Sequence, residues 1–358
     1  MKISDIDKNL AVESGLNLSD AVWFDSKEAP FSIHGIERAE PGKLFLRMPR
    51  ETAKAVSTNV YLLNQHSAGG RIRFRTNSKY IAIKAEMPEG SVMPHMTILG
   101  TGGFDLYIND GREYRYENSF MPSGKIESYE SSRATDGKWH TYTINMPLYA
   151  AVKEVYIGLA ADAELEPAED YTYTKPVLYY GSSITQGGCA SRPGNAYQAM
   201  ISRMFDTDYI NLGFSGSAKA EDAMIEYLAS IDASIFVCDY DHNAPNAAHL
   251  EATHEKLVRA YRAAHPETPI ILVSRPDYAP EKGAYNPDRA DDERRRVIVR
   301  ATYEKLLSEG DKYIGYIDGA HLFDGELRDS CTVDGCHPND LGFFRMAKVI
   351  GAEIQKYL

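Results

Sequence analysis

The segment Tyr180-Gly181-Ser182-Ser183-Ile184-Thr185-Gln186-Gly187 sets a serine hydroxyl directly behind an apolar run, Pro176-Val177-Leu178-Tyr179-Tyr180. A strand that ends in a glycine turn, followed by a serine and a helix, lifts that hydroxyl to the carboxyl edge of a sheet, where α/β folds build their active sites. Ser183 is therefore a candidate nucleophile, although Gly-Ser-Ser also occurs in ordinary turns. Near the other end the chain reads Thr332-Val333-Asp334-Gly335-Cys336-His337-Pro338-Asn339-Asp340-Leu341-Gly342. Asp334 and His337, three residues apart, can share one face of a turn. The carboxylate then holds one imidazole nitrogen while the other reaches a serine, which is a base with its orienter. The competing reading is that both residues only cap the helix opening near Pro338, and it explains the Asp better than the His.

Two further segments stop where acyl transfer needs hydrogen-bond donors. Tyr209-Ile210-Asn211-Leu212-Gly213-Phe214-Ser215-Gly216-Ser217 reads as a short strand entering a glycine turn, and Ser234-Ile235-Phe236-Val237-Cys238-Asp239-Tyr240-Asp241-His242-Asn243-Ala244-Pro245 as a buried strand entering a polar loop. The backbone N–H groups of Ser183 and Gly216 and the amide of Asn243 can together stabilise an oxyanion, the largest single source of catalysis in such reactions. Taken singly, Gly216 can be a positive-φ turn residue and Asn243 a turn-former before Pro245.

With Ser, Gly, Asn and His in this order, residues 174–358 resemble the SGNH or GDSL-type esterases and acylhydrolases. Gly181-Ser182-Ser183-Ile184 stands where that family has Gly-Asp-Ser-Leu, and Asp334-Gly335-Cys336-His337 stands for its Asp-x-x-His. The resemblance implies Ser183, His337 and Asp334 as catalytic residues, Ser183, Gly216 and Asn243 as the oxyanion hole, and neither metal nor cofactor. The chain departs in two places: Ser182 replaces the usual Asp, and Asp239-Tyr240-Asp241-His242-Asn243 replaces the usual Gly-x-Asn-Asp, leaving His242 as the neighbour that competes for the role of Asn243. Upstream, Gly102-Gly103-Phe104-Asp105-Leu106-Tyr107 resembles the Gly-x-Asp-Leu-Tyr signature of a β-rich domain that precedes the catalytic domain in a two-domain bacterial subgroup.

The first half carries short runs of alternating polarity: Lys43–Met48, Arg71–Thr76, Tyr80–Ala85, Trp139–Ile144 and Glu154–Leu159. Period two marks strands with one wet face, and with Gly, Asn-Asp-Gly and Pro turns between them the expectation is an antiparallel, jelly-roll-like β-sandwich over residues 1–172. The acidic stretch Asp162–Asp170 reads as a solvated linker. From 173 to 358, strands near 176–180, 208–212, 233–238, 269–274 and 313–317 alternate with helices near 195–205, 220–230, 247–264, 290–308 and 340–357. That alternation implies a parallel sheet covered by helices on both faces, the three-layer α/β architecture that the resemblance to SGNH hydrolases also implies, with the strand-end loops clustered at one edge. The loop Arg275–Pro287 follows the fourth strand on that side and is either a wall of the site or a surface insertion.

Composition narrows the partners. A chain of 358 residues with 43% hydrophobic content has material for two cores, and 39 basic against 51 acidic residues give a net charge of −12. Such a field disfavours nucleic acid, anionic membrane and polyuronate partners and favours neutral substrates. Met1–Leu10 lacks an apolar core of secretion-signal length, so the expected localisation is cytoplasmic if Met1 is the native start. The cysteines, at 189, 238, 331 and 336, are expected as free thiols. Cys331 and Cys336 flank Asp334, but no second Cys/His pair supplies metal spacing, so no metal site is expected. The 24 tyrosines, in part ordinary core, suit sugar rings.

The expected reaction is hydrolysis of a short acyl ester, acetyl foremost, on a sugar or oligosaccharide. The alternatives are an acyltransferase using the same acyl-enzyme, a lipase-like acylhydrolase, or an inactive carbohydrate-binding protein. Of three roles for the sandwich, a carbohydrate-binding module, a wall of the site or a partner in homo-oligomer formation, the wall is the expectation, because the short linker leaves little freedom to swing.

Overall fold

The first half carries ten strands in the computed structural model, which describes residues 15–37, 39–111, 113–277 and 289–358, and four of the five runs of alternating polarity fall on them. In chain order they are β1 (Ala21–Asp25), β2 (Ser32–His34), β3 (Arg71–Thr76), β4 (Tyr80–Glu86), β5 (Phe104–Asp110), β6 (Glu113–Phe120), β7 (Tyr129–Ala134), β8 (His140–Asn145), β9 (Glu154–Ala160) and β10 (Leu165–Glu166). One antiparallel sheet runs β1-β9-β4-β7; the other runs β3-β8-β5-β6, with β2 and β10 both pairing with β3. The four-stranded and six-stranded antiparallel sheets pack face to face as a β-sandwich. Phe45, Ile72, Phe74, Ile83, Leu106, Tyr142 and Ile157 fill the space between the sheets.

Two expectations fail here. Lys43–Met48 forms no strand: Phe45 enters the sandwich core, Met48 enters a core of the second half, and between them Arg47 is buried. Its alternation records burial on two sides without strand pairing. The acidic segment is not a plain linker either, because Leu165 and Glu166 pair with Thr76 and Arg75, and the Glu166 carboxylate meets the Arg75 guanidinium at 2.6 Å.

The second half contributes β11 (Tyr173–Gly181), β12 (Thr207–Gly213), β13 (Ile235–Asp239), β14 (Ile270–Val273) and β15 (Ile314–Ile317), parallel and ordered β12-β11-β13-β14-β15. Successive side chains of β11 point to opposite faces: Leu178 and Tyr180 join one apolar cluster, Val177 and Tyr179 the other. Each cluster is roofed by helices, Asp222–Ala229, Ala247–Ala264 and Arg289–Ser308 on the first face, Tyr197–Phe205 and Asp340–Ile354 on the second. Six tyrosines, at 142, 179, 180, 197, 240 and 261, are fully buried packing residues.

The Gly-x-Asp-Leu-Tyr motif joins the two halves. A Cβ on Gly103 would meet the Phe120 carbonyl oxygen at 2.9 Å, so only glycine fits where β5 begins. The Asp105 carboxylate is wholly buried and accepts from Asn145 Nδ2 (2.7 Å), from Arg192 (3.0 Å) and from the Gly194 N–H (2.8 Å). The Tyr107 hydroxyl is also bonded to Arg192, whose guanidinium lies over the Tyr116 ring at 4.1 Å. A buried carboxylate is tolerable only when its lone pairs are filled, and here two of three donors come from the segment after the Ser183 helix. That segment is tied onward to the final helix, since Ser191 N and Asn195 Nδ2 donate to Asp340 at 2.9 and 2.8 Å. A second tie is Arg47, which donates to the carbonyls of Leu63 (2.7 Å) and, at the end of β12, Gly213 (2.6 Å).

Candidate active site

β11 delivers Ser183 through a turn that admits little but glycine at Gly181, where a Cβ would meet Thr185 Oγ1 at 2.1 Å and the Asp239 carbonyl oxygen at 2.3 Å. Ser182, which departs from the family pattern, caps the following turn by accepting from Ile184 N at 3.1 Å. Ser183 opens the one-turn helix Ser183–Gln186, which Gly187 ends at φ +107°. Its hydroxyl oxygen lies 2.9 Å from Nε2 of His337, a residue 154 positions away. His337 Nδ1 lies 2.8 Å from Asp334 Oδ2, and Asp334 Oδ1 accepts the N–H groups of Cys336 (3.0 Å) and His337 (2.7 Å). The capping alternative is answered by Asn339, whose side chain accepts from Leu341 N and Gly342 N at the start of the final helix, leaving Asp334 to hold the imidazole.

The remaining sequence-derived positions also meet. Gly216, in the turn after β12, has φ +65° with open space where a Cβ would stand. Two residues on, the Ala218 N–H donates to Asn243 Oδ1 at 3.4 Å, so the loop after β13 abuts the Gly216 turn. His242 turns elsewhere: its Nε2 lies 3.1 Å from Cys336 Sγ, and its Nδ1 is sealed from solvent without a partner among the described residues. Residues 278–287 of the loop read as a wall fall outside the described residues; before them, Arg275 N donates to Asp241 Oδ2 at 2.9 Å.

The sandwich lines this site, as the short connection between the halves leads one to expect. Tyr149 donates its hydroxyl to the Ser183 carbonyl at 3.2 Å, and Gln186 Nε2 donates to the Leu148 carbonyl at 3.1 Å and meets His66 Nδ1 at 3.2 Å. Gln186 Oε1 accepts from Ser215 N at 3.0 Å, tying that brace to the Gly216 turn. Gly188 leaves no spare volume: a Cβ there would meet the Ser183 carbonyl oxygen at 2.9 Å, the Tyr149 hydroxyl at 3.0 Å and His337 Cδ2 at 3.3 Å. The His95 ring lies 5.7 Å from that of His337. Nothing in the spacing of His66, His95, Leu148 or Tyr149 marks them, because each is brought in by a connection between strands of the sandwich.

Electrostatics favour a charged pair. Burial works to raise the Asp334 carboxyl, but hydrogen bonds from the His337 backbone and ring outweigh it and hold it below the ordinary value. The neighbouring Cys336 thiol, against the opposing effect of burial and with Asp334 adding to it, raises His337 to about 9. Burial, together with Arg275 and His337, drives His242 well below the ordinary imidazole value, so it stays neutral. A general base works only unprotonated. If His337 is that base, kcat/KM climbs as pH rises through about 9 and levels above it. Replacing Cys336 by Ala removes the largest raising influence, so the climb should move to lower pH. Initial rates across a pH series on both proteins check this, and an unmoved limb would clear Cys336 of any part in it.

Residues 174–355 match the model of the GDSL-like lipase/acylhydrolase family, and residues 21–165 match that of the N-terminus of SGNH hydrolase-type esterases. The chain belongs to the GDSL-like lipase/acylhydrolase family. A GDSL-like lipase from Bacteroides ovatus is similar at 30% identity and TM-score 0.84, over 94% of this chain and 98% of that one. The salicylyl-acyltransferase of a tetracycline biosynthetic pathway shares the fold at 19% identity and TM-score 0.77, over the same shares of the two chains. A family two carbohydrate esterase from Clostridium thermocellum, solved with cellohexaose, shares it at 13% identity and TM-score 0.53, over 82% of this chain and 94% of that one. Among curated proteins none matches in sequence. Among the described residues no helix is long and apolar enough to cross a membrane.

Proposed function

We propose that the protein is a serine esterase that removes short acyl groups, acetyl foremost, from carbohydrate esters. The observation that carries this reading is the unbroken line from Ser183 Oγ through His337 to Asp334, with spacings of 2.9 and 2.8 Å. Ser183 Oγ attacks the ester carbonyl while Nε2 of His337 takes its proton, and Asp334 stabilises the imidazolium through Nδ1. The tetrahedral oxyanion sits against the N–H groups of Ser183 and Gly216 and the amide of Asn243. Collapse expels the sugar hydroxyl, protonated by His337, and leaves an acyl-Ser183 ester. Water, deprotonated by the same imidazole, then releases the acid and restores the enzyme.

The alcohol side of the substrate is argued from charge, and the size of the acyl group is left to the chain-length series below. A net charge of −12 favours neutral alcohols over polyuronates. Sharing its fold with a carbohydrate esterase makes oligosaccharides the first alcohols to test.

The deciding experiment measures acid release from p-nitrophenyl esters of rising chain length beside acetylated xylo-, manno- and gluco-oligosaccharides. Acetyl esters should outrun butyryl and longer ones, and neutral oligosaccharides should lose acetate while triglycerides and phospholipids do not. Preference for octanoyl or longer chains without sugar deacetylation would move the protein to the lipase side. If an added sugar acceptor becomes acylated faster than water is used, the protein is an acyltransferase working through the same acyl-enzyme.

A further inference from the structure

Nitrogen and sulfur donors crowd the mouth of the site in a number that acyl transfer does not require. His95 from the connection between β4 and β5, Cys189 from the turn behind the Ser183 helix, and His337 each offer one donor atom, and the three atoms lie within 4.8 Å of one another. Cys189 is buried and its backbone sits at φ +77°. A residue with a side chain holds that conformation only where its surroundings dictate it, so the backbone that carries the thiol is held in place. His95 is exposed. Asp334 occupies Nδ1 of His337, so the nitrogen turned toward an incoming ion is Nε2.

Two imidazoles and one thiolate form a borderline-soft set suited to Zn²⁺. Bonds of about 2.0–2.3 Å in a tetrahedron put ligand atoms roughly 3.3–3.8 Å apart. The present spacing, within 4.8 Å, is wider than that, so the ligand side chains close inward when an ion binds. A second trio, Asp334, Cys336 and His337, also lies within 4.8 Å, but an ion there would have to break the Asp334–His337 hydrogen bond. The first trio costs only the contact between Nε2 and Ser183.

We propose that His95, Cys189 and His337 form a zinc site whose occupation switches the esterase off by taking Nε2 of His337 away from Ser183. Binding expels the Cys189 thiol proton, which burial holds up to about 12 until metal replaces it. The inhibition rests on His337 being the base, as proposed above; the binding does not.

The test uses the full chain, with Zn²⁺ for inhibition and Co²⁺ as a spectroscopic reporter. Wild type should bind about one equivalent of Co²⁺ with a thiolate-to-cobalt charge-transfer band in the near ultraviolet, as should Ser183→Ala, which removes no ligand. Zinc should suppress p-nitrophenyl acetate hydrolysis by wild type, and a chelator should restore it. Measured against each variant's own metal-free rate, zinc inhibition should weaken by about tenfold or more in His95→Ala and Cys189→Ala, and Cys189→Ala should lose the band. The proposal is overturned if the band survives in Cys189→Ala and vanishes in Cys336→Ala, which would put the ion on the second trio. It is overturned equally if zinc inhibits both variants as strongly as wild type. A Cys189-dependent band without inhibition keeps a metal site but overturns the switch, while the role of His337 as base is read separately from the turnover of His337→Ala.

Discussion

Replacing Ser183 by Ala is expected to lower ester hydrolysis by about five to six orders of magnitude while leaving the fold intact. The substitution removes only a hydroxyl that is bonded to His337 Nε2 and plays no part in capping, since Ser182 caps that turn. His337→Ala should lose as much, because nucleophile and base act as one unit and removing either disables both. Asp334→Asn is expected to be milder, with a loss of about 10⁴ or less. An amide there can still accept the Cys336 and His337 N–H groups but presents N–H to Nδ1, forcing the imidazole into the wrong tautomer. The measurements are p-nitrophenyl acetate turnover and thermal unfolding of all three variants beside wild type. Retained hydrolysis in Ser183→Ala would sink the nucleophile assignment and everything built on it; a wild-type rate in Asp334→Asn would leave Asp334 a turn-forming residue only.

The second large effect concerns the oxyanion. Losing one donor typically costs about 10²–10³ in turnover, roughly 3–4 kcal/mol, because the charge develops only in the transition state. Asn243→Ala is therefore expected to lower kcat by that factor and leave KM nearly unchanged. The geometry favours Asn243 over its neighbour: its Oδ1 takes the Ala218 N–H beside the Gly216 turn, which leaves the Nδ2 donor for substrate, whereas His242 Nε2 faces Cys336. His242→Ala should act mainly through the Cys336–His337 pair, displacing the pH limb more than the maximal rate. The two variants, assayed under saturating and subsaturating substrate, discriminate. A kcat collapse in His242→Ala with a normal Asn243→Ala would shift the assignment in this loop by one residue.

How much of the site is legible before folding depends on how local its determinants are. Ser183 is visible because an apolar run, a glycine and a serine are contiguous, and the close packing that makes Gly181 obligatory lies within that same turn and the end of β13. Asp334 and His337 are visible because they are three residues apart, and the tight turn at Gly335 (φ +82°) brings their side chains together. Gly216 and Asn243 were inferred only as strand ends, and they meet because a parallel sheet gathers the loops after β12 and β13 at one edge.

The sequence by itself therefore determined what short-range periodicity encodes. It specified four of the ten strands of the sandwich, the alternating strands and helices of the second half, and the pairing of Ser183 with His337 and Asp334. It misjudged Lys43–Met48, whose period-two pattern reflects burial against two different cores, and Asp162–Asp170, whose charge hid a two-residue strand. Only the tertiary structure decided that Asp105 braces the segment beyond the nucleophile, that Tyr149 and Gln186 support it from the sandwich side, and that His95 and Cys189 stand beside His337. The physical reason is distance along the chain. Contacts such as Tyr107 to Arg192, 85 residues apart, and Tyr149 to Ser183, 34 apart, depend on how two separately patterned halves dock, and no local spacing records that docking.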